Sequence, residues 1–322
     1  MHLLPCFSAS LLWLISTMPV FAQQIYPSRP IRLIVSWAPG GASDLIARVV
    51  GEKLGEQLGQ QFMIDNRAGA SGAIGTQLAA KSVPDGHTLL FGGVTELVLN
   101  PQIVKVPYDP MRDFSTVSPA AFGYYVMVVH PALPAKSVWE LIVLAKSRPG
   151  EINYASGGSG SNLALVAELF KVKAGIQVAH VPYKGGGPAS VAVMAGESQM
   201  MFAATATVIP YVEAKRLAAL AITGLKRSPL LPNVPTFEES GMRDMDVGMW
   251  FGVLAPAATQ KDIVARLNSE VVKMAAEPAY GKAIVKLGFE PLSSTPDKFS
   301  AFMRTELETW GKVIKAAGIK GG

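Results

Sequence analysis

Residues 152–162, INYASGGSGSN, decide the fold, because a strand-like run passes through a loop of glycine and serine into the amphipathic run Leu163 to Lys173. A strand, a loop and a helix in this order form one unit of a parallel α/β sheet. The loop leaves backbone N–H groups free at the positive end of the helix dipole, with serine hydroxyls beside them, so it suits an anionic oxygen. It predicts a cradle for a carboxylate or phosphate; a plain turn tightened by glycines is the alternative.

A second strand, loop and helix of the same kind opens the chain after its first 30 residues. Ile31 to Val35 is rich in β-branched residues, Trp37 to Gly41 breaks the pattern, and Leu45 to Leu58 has helical character. Two helix N-termini are thus available to one ligand. Neither loop matches a nucleotide-binding motif, because Gly158 to Leu163 lacks the third glycine of the dinucleotide fingerprint and the sequence contains no P-loop.

The first 22 residues have the features of a secretory leader. They contain no Lys, Arg, Asp or Glu, they include apolar runs, and Val20-Phe21-Ala22 resembles a cleavage site. We predict a signal peptide over residues 1–22, cleaved after Ala22, and hence a secreted protein. A single N-terminal membrane anchor is the alternative. Cys6 precedes the apolar run, so it does not fit the position of a lipid-bearing cysteine.

The composition after the leader excludes several classes of protein. No cysteine follows Ala22, so the remaining 300 residues need an ordinary apolar core, which a chain with 49% hydrophobic residues can supply. The formal net charge is +5, but the basic residues are scattered singly, so we expect no nucleic-acid partner. His87, His130 and His180 lack metal-ligand spacing, so we expect no metal and no cofactor.

Strand-like runs alternate with helical patterns along the chain, which predicts an α/β fold with parallel sheets. The runs assigned to strands are 31–35, 61–66, 87–91, 124–129, 152–155, 177–181, 200–203, 217–222 and 245–254, and two long amphipathic helices, 259–276 and 296–317, close the chain. Three hundred residues exceed a comfortable single core, so we predict two α/β lobes with a ligand cleft between them.

The lobe boundaries follow from the absence of a Gly/Ser linker. Without one, the chain should cross between lobes inside extended segments, and the long apolar strands Tyr124 to Val129 and Met249 to Leu254 are the candidates. We therefore assign residues 23–123 and 254–322 to lobe 1, and residues 124–253 to lobe 2.

An ordered series of short motifs covers essentially the whole chain after the leader. They are Tyr26-Pro27-x-Arg29-Pro30-Ile31-Arg32-Leu33-Ile34-Val35, Ala38-Pro39-Gly40-Gly41-x-x-Asp44-x-x-Ala47-Arg48, Asn66-Arg67-x-Gly69-Ala70-x-Gly72, Pro84-Asp85-Gly86-x-Thr88-Leu89, Pro107-Tyr108-Asp109-Pro110, Tyr154-Ala155-Ser156, His180-Val181-Pro182-Tyr183-Lys184-Gly185, Arg227-Ser228-Pro229 through Val234-Pro235-Thr236, and Trp250-Phe251-Gly252. So many motifs in one order are not expected by chance. In this series the chain resembles the substrate-binding proteins of the tripartite tricarboxylate transporter system, the Bug or TctC-like family.

The resemblance implies a periplasmic receptor with the two-lobe, type II periplasmic binding-protein fold. Such a receptor closes like a hinged trap on a small carboxylate and delivers it to the permease subunits of the membrane transporter. The loops Trp37 to Asp44 and Ser156 to Asn162 would form the two jaws, with Thr95 as a third donor. The candidate ligand-binding residues are Trp37, Ala38, Gly41, Asp44, Thr95, Ser156, Gly160, Ser161, Asn162, Tyr183 and Lys184. We expect a monomer.

Two positions depart from the pattern of the family. Ala164 stands where many relatives have a histidine, and Ala203 stands where many have an aspartate. An ammonium in a dry cleft requires an anionic or strongly accepting partner. We therefore predict a carboxylate ligand without a free ammonium group.

Several candidates also have a structural explanation. Trp37 either stacks on a planar ligand or wedges the lobe interface. Asp44 fits better as a partner of its own helix start than as a direct ligand, because a carboxylate repels an anion. Ser156 and Ser161 either contact the ligand or cap a helix. Lys184 either pairs with the anion or is a solvated surface lysine.

A secreted serine-type hydrolase acting on a small anionic substrate is the competing hypothesis. Ser156 and Ser159 lie in a strand-to-helix turn, and His180 could pair with a serine. The sequence contains no G-x-S-x-G nucleophile elbow, however, and a histidine that is buried or at a strand edge is the simpler explanation of His180. We predict a solute receptor that is not an enzyme.

Overall fold

The computed structural model describes residues 26–316, so the predicted leader and its cleavage site lie outside the described residues. This part of the chain forms ten strands and ten α-helices. The strands are β1 (Ile31–Val35), β2 (Phe62–Asn66), β3 (Thr88–Gly93), β4 (Phe114–Val129), β5 (Asn153–Ser156), β6 (Ala179–Pro182), β7 (Met200–Ala204), β8 (Ala218–Ile222), β9 (Gly248–Pro256) and β10 (Phe289–Pro291). The helices are α1 (Ala42–Leu58), α2 (Ala73–Ala80), α3 (Asn100–Ile103), α4 (Val138–Ser147), α5 (Asn162–Ala174), α6 (Gly186–Met194), α7 (Thr205–Glu213), α8 (Lys261–Ala276), α9 (Pro278–Lys286) and α10 (Pro296–Ala316). A 3-10 turn (Ala70–Gly72) precedes α2, and a π-helical turn (Thr95–Leu99) follows β3.

Lobe 1 is built on the strand order β2-β1-β3-β9-β4. Strand β1 pairs in parallel with β2 and β3, as a strand-helix-strand succession requires. Strand β9 then runs antiparallel to β3 and to the first part of β4, and the short strand β10 covers another edge of β4. None of the helices described, between residues 26 and 316, is both long and apolar enough to cross a membrane.

Lobe 2 repeats this plan with the second part of β4. That part pairs antiparallel with β7 and β8, and β5 lies parallel between β7 and β6. The prediction of two α/β lobes from alternating strands and helices is confirmed.

One long strand, β4, belongs to both lobes. Its residues Phe114 to Tyr124 face partners in β9, whereas Tyr125 to Val129 face partners in β7. All residues from Tyr125 to Val129 are fully buried, which explains why this stretch is an unbroken apolar run and does not alternate. The partner strand of β4 therefore changes from β9 to β7 between Tyr124 and Tyr125.

The pairing of β9 bears on the predicted lobe boundary at residue 253. Its partners from Gly248 to Pro256 lie in β3 and in the first part of β4, whereas the sequence analysis assigns Met249 to Val253 to lobe 2. An apolar run shows that a strand is buried but does not reveal its partner strand. Thr223 links β4 to the residue that precedes β9, because its Oγ1 donates to the Val247 carbonyl oxygen at 2.7 Å and accepts from the Tyr125 N–H at 3.0 Å.

Apolar spacing determines how the helices cover the sheets. In α8 the buried apolar side chains are Val264, Leu267, Val271 and Met274, which form a single stripe along the helix. Burying each such side chain contributes about 1.5–3 kcal/mol. The helices that follow β1, β5, β6 and β7 all begin at the carboxyl ends of their strands, and this places four helix N-termini in the cleft between the lobes.

Candidate functional site

Four helix N-termini meet at one cavity between the lobes. The cavity has a volume of about 50 Å³ and is lined by Trp37, Gly41, Ala42, Ser43, Gly93, Val94, Thr95, Glu96, Gly157, Ser161, Asn162, Leu163, Gly186, Ala204, Thr207, Met249 and Phe251. Of these residues, Gly41, Ser161 and Ala204 immediately precede α1, α5 and α7, and Gly186 is the first residue of α6. The positive ends of four helix dipoles therefore favour an anion in this cavity.

Three of these helices begin without a side-chain cap. Gly41 before α1 and Gly185 before α6 have no side chain to offer, and no side-chain cap bond is formed at Ala204 before α7. The first N–H groups of a helix have no partner inside the helix, so they require water, another protein group or a ligand. The starts of α1, α6 and α7 are thus available to an anionic oxygen.

The N–H groups at the start of α5 are already engaged. Ser161 Oγ accepts from the Ala164 N–H at 3.2 Å, and Asn162 Oδ1 accepts from the Leu163 N–H at 3.0 Å. Thr95 Oγ1 accepts from the Asn162 N–H at 3.2 Å. Ser161 therefore acts here as a helix cap, and a ligand that used these amides would have to displace protein partners.

The contacts of this region join the lobes directly. Thr95 is in lobe 1 and Asn162 in lobe 2, and a second bond runs from the Gly160 N–H to Ser71 Oγ at 3.2 Å. Asn100 supports the 3-10 turn by donating from Nδ2 to the Ser71 carbonyl oxygen at 2.6 Å. The structure thus represents a closed arrangement of the lobes.

Ser43 lines the cavity and has a buried hydroxyl group without a partner. The residue is 4% exposed, and its Oγ makes no hydrogen bond in the described structure. A buried hydroxyl without a partner costs about 1–3 kcal/mol, so native structures rarely keep one without a reason. Its position in the first turn of α1, beside uncapped N–H groups, suits a ligand oxygen.

Glu96 is the acidic side chain of the cavity. It is 1% exposed; its Oε1 accepts from the Gly93 N–H at 3.0 Å, and its Oε2 accepts from Trp37 Nε1 at 3.2 Å. Burial raises the pKa of Glu96 to about 7, and the two N–H donors oppose this rise only in part. No basic side chain forms an ion pair with Glu96 in the described residues.

Trp37 separates this cavity from a larger outer chamber. The chamber has a volume of about 410 Å³ and is lined by Trp37, Gly69, Ala70, Ser71, Ala73, Val104, Lys105, Val106, Gly157, Gly158, Ser159, Gly160, Tyr183 and Lys184. A Cβ on Gly72 would lie 3.2 Å from Cζ2 of Trp37, so glycine at this position lets the indole ring lie against the 3-10 turn. Trp37 therefore forms a wall between the two spaces.

The outer chamber is basic. Lys105 from lobe 1 and Lys184 from lobe 2 line it, both are exposed, and no acidic side chain shares the lining. Two cations on opposite lobes favour an anion on its way to the inner cavity.

Asp44 organises the first jaw and does not line the cavity. Its carboxylate accepts from the Gly40 N–H at 3.0 Å, and from Arg48 Nε and Nη2 at 3.1 and 2.9 Å. Asn66 Nδ2 donates both to Asp44 Oδ1 and to the Trp37 carbonyl oxygen, so the two side chains fix the shape of the loop. Burial alone would raise the pKa of Asp44, but the hydrogen bonds from Arg48, Gly40 and Asn66 lower it below its usual value.

Ser156 and His180 form a pair behind the second jaw. Ser156 Oγ lies 2.6 Å from His180 Nε2, and the ring of His180 stacks on Tyr154. Ser156 is fully buried and absent from the linings of both the cavity and the outer chamber, and burial lowers the pKa of His180. Ser156 Oγ also accepts from the Gly158 N–H at 3.1 Å, so the pair holds the shape of the glycine-rich loop.

The structure distributes the candidate residues over several environments. Trp37, Gly41, Thr95, Ser161 and Asn162 line the inner cavity, whereas Gly160, Tyr183, Lys184 and also Trp37 line the outer chamber. Ala38, Asp44 and Ser156 line neither space. Among residues 26–316, no group of three or more His, Cys, Asp or Glu side chains is placed to hold a metal ion.

Sequence reasoning misses three polar residues of the cavity: Ser43, Glu96 and Thr207. The strand-loop-helix pattern that marks the first two jaws also marks the start of α7, so Thr207 could have been found from it. Glu96 carries no such signal, because it lies in a π-helical turn that no sequence pattern indicates. Ala203 lies inside β7 opposite Val126, and its neighbour Ala204 is the residue that lines the cavity.

Most of the chain is similar to one group of proteins. Residues 46–319 match the family described as "Tripartite tricarboxylate transporter family receptor". The chain is 38% identical over 290 residues to "UPF0065 protein in tcbD-tcbE intergenic region" of Pseudomonas sp. (strain P51), covering 90% of this chain and 86% of that protein. It is 36% identical over 300 residues to "Protein BugT" of Bordetella pertussis, covering 92% of this chain and 91% of BugT.

Solved structures give the same result. "R. palustris Rpa4515 with adipate" has a TM-score of 0.90 at 34% identity, covering 92% of this chain and 100% of that chain. "Structure of periplasmic binding protein BugD" has a TM-score of 0.89 at 29% identity, with the same two coverages. "MatC (Rpa3494) from Rhodopseudomonas palustris with bound malate" has a TM-score of 0.85 at 27% identity, covering 90% and 100%. The fold is therefore that of two-lobed periplasmic binding proteins.

Proposed function

The chain belongs to the tripartite tricarboxylate transporter receptor family, and we propose that it captures a small carboxylate between its lobes in the periplasm and delivers it to the membrane permease subunits of such a transporter. The single observation that carries this proposal is the convergence of four helix N-termini on one cavity between the lobes. This arrangement supplies positive potential and N–H donors to an anion. Adipate and malate, bound in two of the similar structures, are both dicarboxylates.

Two contact sets would hold the ligand. The uncapped starts of α1, α6 and α7 supply backbone N–H groups, and the Ser43 hydroxyl supplies a side-chain donor. Trp37, Thr95, Ser161 and Asn162 line the remaining space, and Lys184 and Tyr183 attract the anion in the outer chamber. Ala38, Asp44, Ser156 and Gly160 would act by shaping the two jaws and not through the inner cavity.

The ligand is proposed to lack a free ammonium group. An ammonium in a closed cavity needs an anionic or strongly accepting partner. Ala204, the residue of the lining that immediately precedes α7, has no side-chain acceptor to offer, and neither has its neighbour Ala203. Apolar side chains, including Val94, Leu163 and Phe251, form much of the remaining wall.

A receptor role, without catalysis, is favoured over the hydrolase hypothesis. The Ser156 and His180 pair supplies two members of a catalytic triad, but the serine is fully buried. No carboxylate hydrogen-bonds to His180 Nδ1 in the part of the chain that is described. A nucleophile must reach its substrate and its base must be oriented by a third group. Incubation with generic esters and with a fluorophosphonate probe should give neither turnover nor labelling of Ser156; either result would favour the hydrolase.

We also propose a division into lobe 1, residues 26–124 and 248–316, and lobe 2, residues 125–247, based on the strand pairing. The exported protein is proposed to begin at Gln23, after cleavage at Ala22, and to act as a monomer. Mass spectrometry of periplasmic material tests the first residue. Retention of Met1 on a membrane-bound product would favour an anchor.

Thermal shift with the mature protein tests the main proposal. The screen contains mono-, di- and tricarboxylates and aromatic acids, and it pairs succinate with aspartate and glutarate with glutamate. A receptor is stabilised by about 2.7 kcal/mol at a hundredfold excess of ligand over Kd. We expect stabilisation by carboxylates and a preference for each acid over its amino derivative. No shift with any carboxylate would overturn the receptor proposal, and a preference for the amino acids would overturn the ligand class.

A further inference from the structure

We propose that Glu96 takes up one proton from solvent when a carboxylate enters the cavity, and that its protonated carboxyl group donates a hydrogen bond to the ligand. This inference rests on the proposed function, since it concerns the same cavity. It assigns to Glu96 a direct role in ligand capture and makes the affinity of the receptor depend on pH.

The position of Glu96 is fixed and its environment is dry. The side chain is 1% exposed and lines the cavity together with Ser43 and Thr95. One carboxyl oxygen accepts from the Gly93 N–H and the other from Trp37 Nε1, so the group cannot turn away from an incoming ligand without losing a hydrogen bond. Each carboxyl oxygen retains a further hydrogen-bonding position, because an oxygen atom of this type has two lone-pair sites.

The surrounding elements offer no cation to neutralise Glu96. The hydroxyl of Tyr108 donates to the Glu96 carbonyl oxygen, and Glu306 on α10, which packs against the π-helical turn, accepts from Trp250 Nε1. On α1, Asp44 is already paired with Arg48. Lys105 and Lys184 lie in the outer chamber, beyond the Trp37 ring. Strands β3 and β9 contribute only glycine, methionine and phenylalanine to the cavity wall.

Two carboxylates in one desolvated space cannot both remain ionised without a large cost. A shared proton removes one charge and converts the repulsion into an O–H···O⁻ hydrogen bond, which is stronger than a neutral one. Burial already raises the pKa of Glu96 to about 7, so the proton is readily taken up near neutral pH. A bound carboxylate raises this pKa further, because a second negative charge disfavours the ionised form.

The sign of the pH effect follows from linkage. Below about pH 7 the carboxyl group is already protonated in the free receptor, so the affinity is at its maximum and constant. Above that pH, binding requires proton uptake, and Kd rises by about tenfold per pH unit until the pKa of the bound state is reached. The ligand itself contributes nothing to this dependence, because ordinary carboxylic acids are ionised above about pH 6.

Calorimetry with adipate and succinate as probes tests the inference on the wild-type protein. Titrations between about pH 6 and pH 9, in pairs of buffers with different ionisation enthalpies, measure the protons taken up per carboxylate. We expect uptake close to zero at the acidic end and rising towards one proton above about pH 8, together with the rise in Kd. Binding with no proton uptake and a constant Kd would overturn the inference and leave the receptor proposal intact. Absence of binding by every carboxylate of the thermal-shift screen at every pH would overturn both.

Two variants identify the group that takes up the proton. Glu96→Gln cannot titrate, so its Kd should be independent of pH and its proton uptake should vanish. Glu306→Gln removes another half-buried carboxyl, one that is bonded to Trp250 and does not line the cavity, and it should keep the proton uptake of the wild type. Persistence of proton uptake in Glu96→Gln would overturn the assignment. The wild-type titration decides the proton uptake itself even if that variant does not fold.

Discussion

The backbone N–H of Asn162 donates a hydrogen bond to Thr95 Oγ1 at 3.2 Å, and this contact ties the start of α5 in lobe 2 to the π-helical turn of lobe 1. Thr95→Val keeps the shape of the side chain but removes the acceptor. The substitution should leave the buried Asn162 N–H without a partner, at a cost of about 1–3 kcal/mol, and it should do so only in the closed arrangement. We expect weaker carboxylate binding, by about fivefold to a hundredfold, and small-angle scattering should show a less compact protein without ligand.

Thr305→Val is the matched control for this prediction. Thr305 lies on the exposed face of α10 and bonds only to the Ala301 carbonyl oxygen within its own helix. It should change neither the radius of gyration nor the affinity. Identical scattering and affinity for Thr95→Val and wild type would show that this contact does not hold the lobes together.

The architecture could be predicted from the sequence because its signals are local. Strands such as Ile31–Val35 and Met200–Ala204 are short apolar runs followed by helix starts, and these patterns do not depend on distant residues. The first part of β4, Phe114 to Gly123, was not predictable in this way, because Pro119 and polar residues interrupt it. The lobe to which β9 belongs depends on strand pairing, which periodicity does not encode.

The cavity was less predictable than the fold. Glycine-rich loops that follow strands predict the two jaws, so Gly41, Ser161 and Asn162 could be found from the sequence. Ser43 lines the cavity, whereas Ser156 bonds to a histidine. Which of these roles a serine takes depends on the angle of the helix start and on residues far along the chain. Glu96 could not be distinguished from a surface carboxylate, because only tertiary packing buries it.

Ser43→Ala should reduce affinity and leave stability unchanged or slightly improved. The hydroxyl has no protein partner, so its removal costs no internal hydrogen bond, whereas a carboxylate ligand would lose a charge-assisted bond worth about 1.5–3 kcal/mol. Calorimetry should show Kd raised by about tenfold to a hundredfold. Thr259→Val is the control, because Thr259 also has a buried hydroxyl without a partner but lies outside the cavity. Equal affinities for the two variants would contradict a ligand contact at Ser43.

The outer chamber should affect the rate of capture more than the affinity. Replacing Lys105 and Lys184 with Ala removes two cations from the chamber, so the association rate for adipate should fall, and its dependence on ionic strength should weaken. Stopped-flow measurements at several salt concentrations report both quantities. Lys282→Ala, at an exposed site on α9, is the control. An unchanged association rate and salt dependence in the double variant would rule out electrostatic guidance by these lysines.

Glu96 should also make the stability of the unliganded protein depend on pH. Its pKa is about 7 when folded and close to 4.5 when unfolded, so its contribution is fully present below about pH 4.5 and is lost as the pH rises through about 7. The difference between the two values corresponds to about 3 kcal/mol. Urea unfolding at pH 5 and pH 8 should show a larger loss of stability in wild type than in Glu96→Gln. Glu52→Gln, at an exposed site on α1, should behave as wild type; equal losses in all three proteins would contradict the prediction.

Gly160→Ala should block closure through one close contact. A Cβ at this position would lie 2.6 Å from Asn100 Oδ1, which belongs to lobe 1, and 3.4 Å from Ser71 Oγ. The open arrangement separates these groups, so the methyl group should destabilise the closed arrangement selectively, by about 1–3 kcal/mol. We expect Kd for carboxylates to rise by about fivefold to a hundredfold, and scattering should show less compaction at a ligand concentration that closes the wild type.

A second substitution makes the Gly160 prediction specific. Asn100→Ala removes the atom that the new methyl group would strike, so the double variant should recover part of the affinity and compaction lost in Gly160→Ala. Gly281→Ala is the control for the substitution type, because nothing lies within 4 Å of a Cβ at that position in α9. In a double-mutant cycle the double variant should lose less affinity than the sum of the two single variants, by more than the roughly 0.5 kcal/mol expected for independent sites. If the effects of Gly160→Ala and Asn100→Ala on Kd simply add, the contact between jaw and lobe 1 does not limit closure, and the loss of affinity must arise within the glycine-rich loop itself.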